Sequence, residues 1–225
     1  VDGKGIKGAV PSDKFDFASA SYSWTKTLVT GYHYANLENN YKQHIFNLVH
    51  TLPLGDAQSF KTDLRYADSS KEGNSNIDNQ AFGAKFTYSL HGHSFGAAYQ
   101  RMKGTTGFPH LDGTDSYLVN YVMISPDFAN PEEKSWQARY DYDFAALGIP
   151  GLTFMTRYLK GDNFVRTRTL EGTEWERNTD IGYVFQSGAL KNLEVKWRNG
   201  TYRSNGSGSD IDQNRFIVSY TLPML

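Results

Sequence analysis

The chain has 225 residues, enough for one sizeable domain or barrel, and its 23 Lys and Arg against 24 Asp and Glu leave a net charge of −1, which speaks against a dedicated nucleic-acid binder. With no Cys it excludes disulfide scaffolds, thiol catalysis and cysteine metal sites. No stretch approaches the ~18 consecutive apolar residues of a helical membrane span, and mean hydropathy is −0.57, yet 15% of the residues are aromatic. Strands that show lipid at every second residue and end in aromatic girdles produce this combination.

The opening VDGKGIKGAV has neither an initiator Met nor the charged-then-apolar run of a secretory leader, which leaves either a removed leader or a missing beginning. From there, apolar and aromatic residues alternate with polar or small ones in successive segments. The alternation predicts an all-β, up-and-down antiparallel transmembrane β-barrel of eleven strands, near 15–25, 28–37, 41–52, 58–69, 77–90, 93–103, 134–147, 151–160, 173–186, 193–203 and 213–223. In LEVKWR, for example, Leu193, Val195 and Trp197 point one way and Glu194, Lys196 and Arg198 the other.

Connections at 26–27, 53–57, 91–92, 148–150 and 187–192 are short. Those at 70–76, 104–133, 161–172 and 204–212 are longer and rich in Gly, Ser, Asn and Asp, and only 38–40 breaks the pattern. Outer-membrane barrels have short periplasmic turns and longer outside loops, so the first and last strands both run inward. Both termini in the periplasm require an even strand number, and eleven is odd. The whole chain, 1–225, is therefore expected to be the C-terminal portion of one longer barrel. Self-closure at twelve would need a strand from residues 1–14, whose Gly- and Lys-rich sequence reads poorly as a span.

The middle of 104–133, SYLVNYVMIS, is too apolar for an exposed loop. It is expected to fold into the lumen as a constriction loop; an extra strand is the alternative, although it would invert the long and short register before it. Tyr117 and Tyr121 are expected to pack this loop against the wall.

With the aromatic face of each strand assigned to lipid, Lys61, Arg65, Lys85, Arg139, Arg157, Lys196, Arg198 and Arg215 face the lumen. A basic residue facing lipid at the midplane would cost about 2–4 kcal/mol, whereas lumen charges tune selectivity. A series of such cations can replace the hydration of a passing carboxylate with charge-assisted hydrogen bonds, each weak enough for release. The plainer alternative is lumen packing, with these cations paired to Asp63, Asp141, Asp143, Asp180 and Glu194.

The strings EKSWQARYD (133–141), GIPGLTFMTRYLKG (148–161), LEVKWR and the ending DQNRFIVSYTLPML resemble the OprD family of outer-membrane channels. The resemblance implies a monomeric 18-stranded barrel, of which this chain supplies eleven strands, in the bacterial outer membrane in contact with its lipid. It further implies passive, cofactor-free uptake of small carboxylate solutes, amino acids or aromatic acids, past a basic ladder. On this sequence the ladder falls on Arg139, Arg157, Lys196, Arg198 and Arg215, with Gly182 where the family can carry lysine. An acidic counterpart on the constriction loop falls on Asp127, with Ser125 beside it; Asp127 capping a turn is the plainer reading.

The rivals are a general anion-preferring porin, a barrel enzyme and a soluble lipocalin-type binder. The sequence has no Gly-x-Ser-x-Gly elbow and no phosphate loop. His91 and His93 sit in a short turn without further ligands, and His44 and His50 share the parity of Phe46 and Leu48, which places them on the lipid side.

Overall fold

Period-2 alternation over this many segments leaves each strand one apolar and one polar side, and the backbone satisfies itself by lateral pairing. The computed structural model describes residues 5–111, 117–122, 124, 128–167, 170–206 and 208–221. In it β1 (Phe15–Ser23), β2 (Leu28–Leu37), β3 (Tyr41–Gly55), β4 (Gln58–Lys71), β5 (Asp78–Leu90), β6 (His93–Lys103), β7 (Lys134–Asp143), β8 (Leu152–Thr167), β9 (Leu170–Val184), β10 (Leu193–Ser204) and β11 (Ile211–Tyr220) form one sheet in chain order. Neighbours are antiparallel throughout. β1 and β11 are its two edges, and residues 5–14 hold no strand that would close it at twelve.

Directly opposite residues share a face. The outer face carries registered aromatic rows such as Tyr32, Phe46, Tyr66 and Phe82, each opposite the next. His44 belongs to this face: its ring contacts Tyr32 and Tyr34, and its Nδ1 is hydrogen-bonded to the Tyr32 hydroxyl at 2.8 Å.

The expected boundaries differ most at three places. The strand expected over 134–147 ends at Asp143, whose carboxylate accepts from the Ala145 N–H and caps a 3-10 turn, Phe144–Leu147; Gly148 ends that turn in the left-handed region. The stretch expected as a loop over 161–172 is mostly strand, because β8 and β9 stay paired to Thr167 and Leu170 across register shifts. β3 likewise continues through 53–55 to a bulge beside Gly55. The 91–92 connection is a two-residue hairpin with positive φ at both His91 and Gly92, so turn geometry accounts for His91.

At the long-loop end, the described residues of 104–133 form no strand. Phe108, Leu118 and Ala129 pack against Ile45, Ala67, Ala81 and Met102, while Val122 and Phe128 cluster with Leu159. Two inner-face glycines provide room: a Cβ on Gly83 would meet Val119 at 2.8 Å, and one on Gly200 would overlap Ile124.

Polar anchors accompany the apolar contacts. Gln100 donates to the Phe128 carbonyl at 2.9 Å and accepts from the Asn120 N–H at 3.0 Å. Asn120 also donates to Ser135 and accepts from Gln137. The Tyr117 hydroxyl donates to the Phe46 carbonyl at 2.9 Å, and burial raises its phenol above the usual range. A segment this rich in backbone polar groups can pack against the sheet only because the sheet supplies these partners.

Candidate functional site along the inner face

Register decides which inward charges meet. Arg139 on β7 is opposite Arg157 on β8, and Arg157 is opposite Asn178 on β9. One step away, Asp141, Met155, Asp180, Arg198 and Arg215 form a second row running from β7 to β11. Gly182 and Lys196 face each other in a third, where the missing side chain of Gly182 leaves room for the Lys196 stem. The five cations at 139, 157, 196, 198 and 215 thus occupy one face of adjoining strands. A cleft of about 320 Å³ opens among Arg139, Asp141, Arg157, Asp180 and Lys196.

Three of the five are neutralised locally. Arg139 grips Asp141 through two bonds of 2.7 and 2.6 Å, Arg198 grips Asp180 at 2.7 to 3.1 Å, and Lys196 reaches Glu194 at 2.8 Å. Arg215 and Arg157 stand in no ion pair among the described residues. Arg215 sits on the edge strand and donates to the Gln213 side-chain carbonyl. Arg157 is 7% exposed; its Nε donates to Asn178 Oδ1 at 2.7 Å and its Nη1 to the Tyr121 carbonyl at 3.2 Å. The Arg157 Nη2 makes no hydrogen bond. Glu176, the nearby acid, accepts from Asn178 and from the Ile124 N–H.

The remaining inward cations serve other ends. Arg65 chelates Asp63 at 2.9 and 3.0 Å, donates to the Tyr117 carbonyl at 2.6 Å and lies 5.3 Å from the Tyr117 ring centroid, so it fastens the 104–133 segment. Lys85 lies opposite Asp63, and Lys61 is exposed. Of the acids expected to pair, Asp143 does not: it caps the turn after β7. Ser125 and Asp127 lie outside the described residues.

Charge counting along strands misses the neutral members of the site. Asn178, Gln100 and Gln137 carry the inward parity of their strands, and that parity is the signal that finds them. The Tyr121 carbonyl has no such signal, because a backbone oxygen is invisible in residue identity.

Residues 2–224 match the family described as outer membrane porin, OprD family. Porin D of Pseudomonas aeruginosa and the porin-like protein GalP of Pseudomonas putida are each 35% identical, over 93% and 96% of this chain and 53% of each relative. The crystal structure of Pseudomonas aeruginosa OpdQ is 60% identical with a TM-score of 0.94, covering 100% of this chain and 62% of its own. That of OccK5 (OpdH) from the same organism is 54% identical with a TM-score of 0.91, covering 96% and 60%. The chain therefore spans about half the length of the curated relatives it matches, and it holds eleven paired strands where its structural neighbours are 18-stranded barrels. Those relatives are porins, not enzymes. The pairing order, the two-faced strands and these matches together make the chain a member of the OprD family of outer-membrane porins.

Proposed function

We propose that this chain forms most of the wall of a monomeric channel that passes small carboxylate-bearing solutes along Arg139, Arg157, Lys196, Arg198 and Arg215, with 104–133 as its constriction. The observation that carries the reading is the surplus of cations on the inner face. Five stand in registered rows with three carboxylates as ion-pair partners, which leaves Arg157 and Arg215 outside any ion pair among the described residues. A net positive strip beside a narrow passage raises the local anion concentration, and the basic side chains that line the cleft can take a carboxylate oxygen. A second reading, a general anion-preferring porin, draws on the same ion pairs, because three neutralised cations weaken any specific ladder.

Uptake into proteoliposomes carrying the full parent barrel, comparing benzoate, arginine and a neutral sugar of similar size, separates the two readings. Faster entry of one or both carboxylates, lost in an R157Q/K196Q/R198Q triple variant that still inserts, supports the specific channel. Equal entry of all three, or selectivity unchanged in the variant, overturns it.

A further inference from the structure

The outer face carries a feature that solute passage does not use. The aromatic row Tyr32–Phe46–Tyr66–Phe82 runs directly into Arg101, and Arg101 is opposite Lys134. Beside them Lys160 lies opposite both Trp136 and Trp175, and Arg177 lies opposite Tyr158. The Trp136, Tyr158 and Trp175 rings follow one another at centroid spacings of 5.5 and 5.7 Å. Four cations are thus set among aromatic residues on the lipid side, on strand segments that adjoin the long connections.

Like charges directly opposite one another repel. None of the four cations stands in an ion pair among the described residues, and the Arg101 Nε is buried without a hydrogen-bond partner. The acids on this face reach them only at a distance, Asp212 feeling the charge of Arg177 without pairing to it. Asp162 is opposite Lys134 but forms no ion pair with it, and Asp210 and Asp212 are engaged by Arg203. Arg139, Lys196 and Arg198 on the inner face, by contrast, have carboxylates within 3 Å. The outer band holds positive charge that the protein leaves for an external anion.

Position identifies that anion. Aromatic belts mark the level where hydrocarbon meets headgroups, and long connections emerge on the external side, so the band faces the headgroup layer of the outer leaflet. Arg101 and Lys134 share one level, whereas Lys160 and Arg177 stand two and four residues further along their strands, so the two pairs are separated by two strand spacings of about 4.8 Å and about three residue rises of 3.3 Å, roughly 14 Å in all. That separation suits two phosphates on one sugar scaffold better than a single phosphodiester. We propose that Arg101, Lys134, Lys160 and Arg177 form a binding site for the phosphates of a diphosphorylated outer-leaflet glycolipid, with the flanking Trp and Tyr rings against its sugar–acyl boundary.

The test uses the full parent barrel in detergent and native mass spectrometry with diphosphorylated lipid A, monophosphorylated lipid A, phosphatidylglycerol and inorganic phosphate as separate probes. Diphosphorylated lipid A is expected to be retained most strongly. The R101Q/K134Q/K160Q/R177Q variant is expected to lose that retention by about tenfold or more, the size expected when several cations near anionic headgroups are removed. Lys42→Gln, which removes one positive charge from the outer face of β3 away from the band, is expected to leave it unchanged. If the fourfold variant fails to fold, the pairs R101Q/K134Q and K160Q/R177Q replace it, and each should bind the diphosphorylated and monophosphorylated lipids alike. Equal retention of phosphatidylglycerol, undiminished retention in the variants, or complete competition by inorganic phosphate would each overturn the assignment.

Discussion

At the scale of single residues, the inward arginines differ in what their removal uncovers. Arg198 and Asp180 are 16% and 12% exposed and share three short bonds, so losing the cation leaves a carboxylate with little water around it. Arg198→Gln should therefore destabilise the barrel by about 1–3 kcal/mol, the usual cost of a stranded polar partner. It should also reduce anion preference more than Arg215→Gln does, because Arg215 leaves only a Gln side chain behind. Asp180→Asn should shift permeability the opposite way, freeing Arg198. Reversal potentials of the three variants in a salt gradient check the order; an Asp180→Asn channel no more anion-selective than its parent would mean that the Arg198 charge does not reach the passage. That these side chains point inward is legible from LEVKWR alone. Their compensation is not, since the Asp180–Arg198 pair depends on the register between β9 and β10, which parity leaves open.

At the scale of elements, the strands are legible because hydrocarbon demands an apolar residue at every second position, and the structure departs from the reading where that demand stops. The ends of β8 and β9 read as loop because strand that extends past the membrane has no lipid to select its outer face. The docking surface of 104–133 is half legible: its apolar middle asks for burial, and a glycine within a strand such as Gly83 signals a close approach. How the segment is fastened is set by buried acids. Glu133, just before β7, is 1% exposed and accepts at Oε2 from the Asn130 N–H and side-chain amide at 2.9 and 2.8 Å. The same amide donates to Glu174, which also accepts from the Tyr202 hydroxyl, and Glu176 is buried nearby. Burial, then the charge and hydrogen bond of Glu174, push the Glu133 carboxyl well above the usual carboxylate range. A raised pKa means that the folded state holds a proton the unfolded chain gives up. The stabilisation is therefore complete below the ordinary value of 4.5 and is lost as pH rises through the folded pKa. Proteolytic nicking of 104–133 should increase with pH over that window, and Glu133→Gln, neutral throughout, should flatten the dependence. Nicking that rises equally in the variant would place the titrating group elsewhere.

At the scale of the whole molecule, the same sheet faces two solvents, and its charges divide accordingly. Inside, ion pairs at 2.6 to 2.8 Å are in direct contact and partly buried, so salt weakens their neutralisation far less than it weakens a field acting at a distance. What remains to act at a distance is the surplus from Arg157 and Arg215. A field of that kind is cut off by mobile ions, with a screening length of about 10 Å at 0.1 M and about 3 Å at 1 M. Contact recognition behaves differently, because a carboxylate seated directly on a cation of the cleft, such as Arg139 or Lys196, leaves no room for a screening ion between them. In the full parent barrel the anion-to-cation permeability ratio should therefore fall toward unity between 0.1 and 1 M KCl, while the ability of a bound carboxylate to slow chloride current should decline far less. A permeability ratio that holds at 1 M would locate anion selection in direct contacts, and blockade that disappears in step with the ratio would reduce the inner face to a diffuse positive field without a seat for the solute.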